Sequence, residues 1–194
     1  CLARRDHDDG DLETNDFRFA VRASREIVDE VAHLRETPAE PYTGDRVRVL
    51  VCPARDDAEH AAAEAFASGL DPARWEVRVV GDEILASELV ATANEFRPAA
   101  VVLATLPPGG LSHIRYLANR LRSADASVKI AVGRWGCDDG PSHSPDNLPV
   151  DAVDRSLTET YQRLAQWHSI LVAAEAEPTS ARRNGTVGTR AALV

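Results

Sequence analysis

The chain has 194 residues, 22 of them basic and 31 acidic, for a formal net charge of −9. That length is enough for one well-buried α/β domain with extra segments. The acidic balance, with no basic stripe, excludes a nucleic-acid groove as the starting reading. Three cysteines, Cys1, Cys52 and Cys137, form no CxxC pair and no disulfide framework, which fits a reducing compartment. The longest apolar runs fall far short of the roughly 20 residues of a membrane span, and no signal-peptide pattern is visible. Because the chain begins Cys1-Leu2 without Met, it reads as a piece of a longer protein. The expected setting is a cytoplasmic domain, with a possible tether to the inner membrane through a preceding part.

Residues 1–36 read as a polar, helix-forming lead-in, acid-rich from Asp6 to Asp16 and broken at Gly10. Phe17, Val21, Ile27, Val28, Val31 and Leu34 recur with rough helical periodicity. Residues 37–45 are a linker by their Pro, Gly and Thr content. An α/β domain over 46–173 follows. Val47–Cys52 is a buried strand, and Pro53–Asp57 is a loop in which Asp56 or Asp57 caps a helix through Ser68. Trp75–Val80 is a second strand. Ile84–Phe96 is a helix stopped by Arg97-Pro98, and Ala99–Thr105 a third strand. Leu106–Gly110 is a loop and Leu111–Ser123 a helix. Val128–Val132 is a fourth strand, Gly133–Pro149 a long loop, and Asp151–Asp154 a short fifth strand. A last helix runs from Ser156 to about Val172, and 174–194 is a tail expected to be disordered.

Strands alternating with helices imply right-handed crossovers and a parallel sheet covered on both faces. Five strands favour the order 2-1-3-4-5, the flavodoxin-like arrangement, with a ligand crevice beyond the carboxyl ends of the first and third strands. Pro53–Asp57 and Thr105–Gly110 then face each other, with Gly133–Gly136 close by. This rim supplies the candidate residues. Gly109 and Gly110 open into a helix whose free N–H groups suit an anion, or simply make a tight turn. His113 lies on the first turns of that helix. Arg55, Asp56 and Asp57 could meet a ligand or pair with His113, although capping is the plainer role for Asp. Arg134 could bind an anion, and Trp135 could stack on a ring or cover the sheet end. Thr105 closes the third strand. Cys137, Asp138, Asp139, His143 and Asp146 mix ligand hardness and lack zinc spacing, so they read as a solvated loop rather than a metal site. No phosphate loop, dinucleotide fingerprint or nucleophile–base pair is present, and nothing points to catalysis.

Over roughly residues 46–170, on the run VVLATLPPGGLSHIRYLANRL followed by VKIAVGRWG, the chain resembles the cobalamin-binding domain family. It is similar in particular to the cytosolic C-terminal domain of bacterial membrane proteins of the autoinducer-2 exporter family. Their segment before this domain also resembles the lead-in RRDHDDGDLETNDFRFAVRASREIVDEV. The resemblance implies a cobalamin site, yet its determinants are changed. Where the family has DxHxxG, this chain has Asp57-Ala58-Glu59-His60-Ala61-Ala62. Glu59 stands at the cobalt-ligand position and His60 is one residue, about 100° of helix, away. Ala104-Thr105-Leu106 replaces SxL, and Gly133-Arg134 replaces paired glycines, so that Arg134 is expected to project where the nucleotide tail lies. The family's cap carries Trp, Gly and Glu-His; this lead-in has His7, Gly10 and Phe17-Arg18.

The resulting expectation is a non-catalytic sensory or regulatory module with a degenerate cobalamin-type fold, part of a transporter-like membrane protein. It would hold no cofactor, and its rim would take a small anionic or nucleotide-like ligand. Two alternatives stand beside it. One is a true cobalamin module of a light sensor, transcription regulator or methyl-transfer system. The other is an interaction module that forms homo-oligomers through the lead-in.

Overall fold

The computed structural model describes residues 2–33, 46–108, 110–136 and 148–176. The expected linker, most of the loop before Pro149 and the tail past Ala176 lie outside the described residues. Five parallel strands form one sheet in the order β2-β1-β3-β4-β5. They are β1 (Val47–Pro53), β2 (Trp75–Val79), β3 (Ala100–Thr105), β4 (Lys129–Arg134) and β5 (Ala152–Asp154). The helices are α1 (Leu2–Asp8), α2 (Thr14–His33), α3 (Asp57–Ser68), α4 (Ala86–Phe96), α5 (Leu111–Ala124) and α6 (Leu157–Ala176). The 2-1-3-4-5 order expected from the strand–helix alternation is therefore the observed one.

The sheet divides the core by side-chain parity. Val47, Val49, Val51, Val102, Ala131 and Phe66 belong to the cluster under α3 and α6. Leu50, Cys52, Leu103, Ile130, Val132 and Ile114 belong to the cluster under α4 and α5. Central strands with both faces covered need no polar alternation, and β1 and β3 are buried almost throughout. Edge strand β2 alternates buried or half-buried residues (Trp75, Val77, Val79) with exposed ones (Glu76, Arg78), as a half-covered strand must. The lead-in is part of this packing, because Val21 of α2 is buried in the α3–α6 cluster.

Most boundaries fall within two residues of expectation. Asp56 caps α3, its side chain accepting from the amides of Ala58 and Glu59 at 3.2 Å each. Arg97 ends α4 in the left-handed region, at φ 51°, just before Pro98. Gly10, at φ 85°, separates α1 from α2. Three differences matter. Helix α4 begins at Ala86 because the Glu88 side chain accepts from the Leu85 amide at 3.0 Å. Helix α6 continues to Ala176, into the segment read as tail. Strand β4 includes Gly133 and Arg134, read from sequence as the start of a loop. They pair with Ala104 and Thr105 of β3, and ladder pairing outweighs the poor strand preference of glycine.

At the lower edge of the sheet, the Asp151 carboxylate accepts from the Ile130 amide at 2.8 Å. It also accepts from Arg122 at 2.6 Å and Lys129 at 3.2 Å. Burial opposes its charge, but these three donors outweigh burial and hold its pKa below the usual carboxylate value. A lowered folded pKa contributes stability above the unfolded value and loses it as pH falls through the folded one. Replacement by Asn is therefore predicted to cost about 1–3 kcal/mol at neutral pH. Denaturant unfolding at stepped pH should show the deficit shrinking through the acid range, and NMR titration of Asp151 should give a midpoint below that of an unfolded Asp.

Candidate functional site

The crevice at the carboxyl ends of β1 and β3 is tied shut from within. The Glu59 side chain, 0 % exposed, comes off the first turn of α3. Its Oε1 accepts from Thr105 Oγ1 at 2.8 Å and from the Leu106 amide at 3.0 Å. It also accepts from Arg55 Nε at 3.0 Å and Nη2 at 2.8 Å. Arg55 Nη2 donates in addition to the Leu106 carbonyl at 2.9 Å. One carboxylate thus joins the loop after β1, the loop after β3 and the α3 terminus. Glu59 Oε2 is buried with no hydrogen-bond partner among the described residues. On the other side, Gly110 (φ 82°) caps α5, and a Cβ there would collide with Thr105 Oγ1. The position requires glycine for conformation and for space. Burial, with the negative charge of Glu59 beside it, pushes the Cys52 thiol up to about 12.

Helices α1 and α2 cover this rim. Arg4 Nη1 donates to Asp56 Oδ2 at 2.6 Å, and Arg4 Nε to Asp8 at 3.3 Å. Burial opposes the Arg4 charge, yet Asp56 and Asp8 outweigh it and raise its pKa. The His7 ring stacks on Phe17 with centroids 4.7 Å apart. Farther along, Arg25 of α2 donates to Glu64 at 2.8 Å and to Asp57, and contacts His60 Nδ1 at 3.2 Å. Hydrogen bonding to Glu64, followed by the carboxylates around it, raises the Arg25 pKa. Between these two clasps the apolar contact is incomplete. A cavity of about 290 Å³ remains, walled by Ala58, Ala61, Ala62 and Ala65 of α3 and by Phe17, Ala20, Val21 and Val28 of α2. Leu106, Trp135 and Leu157 close its floor, and Arg4 and Ser24 are its polar groups. The spacing i, i+3, i+4, i+7 puts the four alanines on one face of α3, and short side chains there leave the space.

At the end of β4, Arg134 does not project into the groove beside Gly133. Strand alternation puts Gly133 and Trp135 on the α3–α6 face and Arg134, 7 % exposed, on the other. The indole of Trp135 lies against Gly133, where a Cβ would strike it. Its Nε1 donates to Thr160 Oγ1 at 2.9 Å. The ring packs 5.2 Å from Phe66, which stacks 4.9 Å from Tyr161. Trp135 is therefore an interior side chain that covers the sheet end.

The structure brings together Arg55, Asp56, Thr105 and Gly110 but turns their polar groups on the chain itself. Asp57 lies on the outer side of α3 with Arg25. His113 is exposed and lies beside Tyr116, with centroids 6.2 Å apart, rather than pairing with Asp56 or Asp57. Gly109 and the Cys137–Asp146 group lie outside the described residues. Ligand atoms of Asp57, His60 and Asp82 lie within 4.8 Å of one another, but the guanidinium of Arg25 already supplies the positive charge there. Sequence reading missed Arg4 and Arg25, whose partners are dozens of residues away. The alanine face of α3 was the one signal for the cavity.

No family profile matches the chain, and no curated protein matches it. Among solved structures, it is similar to a novel cobalamin-binding protein from Desulfitobacterium hafniense DCB-2. The identity is 15 % and the TM-score 0.53, over 84 % of this chain and 75 % of that one. The likeness establishes a cobalamin-binding-like fold. The residues here do not fit the cofactor. The position that resemblance gives to a cobalt ligand carries Glu59, consumed by four donors. The space beside the fourth-strand glycine holds the Trp135 ring. Among the described residues, no helix is long and apolar enough to cross a membrane.

Glu59→Ala leaves half-buried Arg55 unpaired and takes the acceptor from the Thr105 hydroxyl and the Leu106 amide, so it should cost about 1–3 kcal/mol for each buried group left unmet, read by urea unfolding. Glu59→Leu combined with Arg55→Leu should recover part of that loss, because no charge is then left buried. A separate outcome is expected at Cys52. In the folded chain it should resist an aromatic disulfide reagent at pH 8 and react only on unfolding, because its thiolate is scarce.

Proposed function

We propose that this domain is a non-catalytic sensory or regulatory module whose ligand is a small molecule with an apolar body, held between the lead-in helices and α3. The observation that carries this reading is the apolar cavity of about 290 Å³ above the carboxyl ends of the strands. This is where ligands of such sheets bind, and the volume is at the small end of ligand pockets. An alanine-walled space gains by being filled with apolar atoms, since unfilled volume forfeits dispersion contacts. Arg4 at its margin is already neutralised by Asp8 and Asp56, so Arg4 and Ser24 suit one uncharged hydrogen-bonding end. This turns the expectation of an anionic or nucleotide-like ligand into one of a small, mostly apolar, uncharged molecule. It also moves the binding groups from Arg55 and Thr105, which Glu59 engages, to the cap.

The output would be the position of α2. An occupant contacts both α2 and α3, so it changes the balance between seated and lifted α2 by its difference in affinity for the two. Sequence resemblance to the cytosolic domain of autoinducer-2 exporter family proteins supports an appended role, in which such movement is passed to a membrane part. The cap's bond to Asp56 and the buried Glu59 argue against the cobalamin alternative.

Thermal-shift measurements test this reading. Short-chain and small aromatic alcohols and ketones should raise the Tm of the parent chain. They should not do so in Ala62→Leu, whose side chain fills the space and itself adds about 0.5–2 kcal/mol. Nucleotides and hydroxocobalamin should shift neither. A panel with no response, or equal responses in both proteins, would leave the cavity a packing defect and the domain without a small ligand.

A further inference from the structure

Helix α2 has a second apolar surface, separate from the one that packs on α3. Phe19, Ile27 and Val31 are 64 %, 61 % and 53 % exposed. With Ala23 they form a row at four-residue intervals, and residues so spaced neighbour one another on a helix. The row extends about 18 Å along the axis at 1.5 Å per residue. It is symmetric about position 25, since Phe19 and Val31 are equidistant from it, as are Ala23 and Ile27.

A second row at the same interval, Arg18, Arg22, Glu26 and Glu30, lies one residue earlier and is exposed. It is basic in the first half and acidic in the second. Among the described residues none of the four is ion-paired, whereas inward-facing Arg25 is bonded to Asp57 and Glu64. Isolated large apolar residues are ordinary on a surface. A row flanked by unpaired charges of reversing sign is a recognition pattern.

We infer that this face of α2 is a self-association surface and that its occupant is α2 of a second copy, packed antiparallel about a two-fold axis at the level of residue 25. An isologous contact brings each patch onto itself. Antiparallel packing sets Phe19 opposite the partner's Val31 and Ala23 opposite the partner's Ile27. It also lays the charged edge on its own reverse, so Arg18 and Arg22 come level with the partner's Glu30 and Glu26. Each stands within about 3 Å along the axis of its counterpart. Parallel packing would lay that edge on the opposite side of the partner helix, which lacks the reversal of sign. One helix face is a small interface, so the dimer should be weak.

Sedimentation velocity of the 194-residue chain in reductant, over a wide concentration range, provides the test. A reversible monomer–dimer equilibrium is expected. Phe19→Glu should remove it without changing the unfolding midpoint, because Phe19 is exposed. Arg22→Glu and Glu26→Arg should each weaken the dimer about tenfold, since the two-fold counts every pair twice. The combined swap, Arg22→Glu with Glu26→Arg, should restore it. A monomer at every concentration, a dimer indifferent to Phe19→Glu, or a swap that fails to restore association would each overturn the proposal.

Discussion

The buried Glu59 carboxylate is the constraint around which the upper half of the molecule is arranged. An unpaired charge at 0 % exposure could not persist, so the surroundings supply donors: a guanidinium, a hydroxyl and a backbone amide. They come from two pieces of chain, the loop after β1 and the end of β3, and both are thereby fixed in place. The loop after β1 cannot swing away without stranding Arg55. The loop after β3 cannot do so without leaving Thr105 and the Leu106 amide unmet. The rim is braced by the protein's own charges.

The same substitution of self for ligand is repeated beside β4. The groove next to Gly133 is filled by Trp135, anchored on Thr160 and packed with Phe66 and Tyr161. Aromatic contacts of this type contribute about 0.5–1.5 kcal/mol beyond simple burial. Open volume lies one layer outward, between α3 and the lead-in. A likeness of fold at 15 % identity does not carry a ligand with it.

The sheet was legible because its signals are local and redundant. Val49–Cys52, Val101–Leu103 and Ile130–Val132 are apolar without interruption, and Asp56, Pro98 and Gly110 mark the places where helices start or stop. Beyond Val132 the reading failed for a physical reason. Glycine says loop to a local scan, but Gly133 and Arg134 face a partner strand whose free backbone groups decide the matter. The site was legible only as a location. The Arg55–Glu59 pair was not read from the sequence, and Thr105 joining it depends on a contact 46 residues away. The clasps by Arg4 and Arg25 left no local trace, since any of the chain's many carboxylates could have been their partner.

The lead-in is fastened to the domain by two kinds of force. At Arg4–Asp56 and Arg25–Glu64 the attachment is ionic and partly open to water. Between them it is apolar, through Phe17 and Val21. Dissolved ions screen the first, while strongly hydrated salts and osmolytes strengthen the second. The seating of α2 is therefore a mechanical property that depends on the solution itself. A rise in simple salt slackens its ends, and a rise in compatible solute tightens its middle, before any specific ligand has arrived.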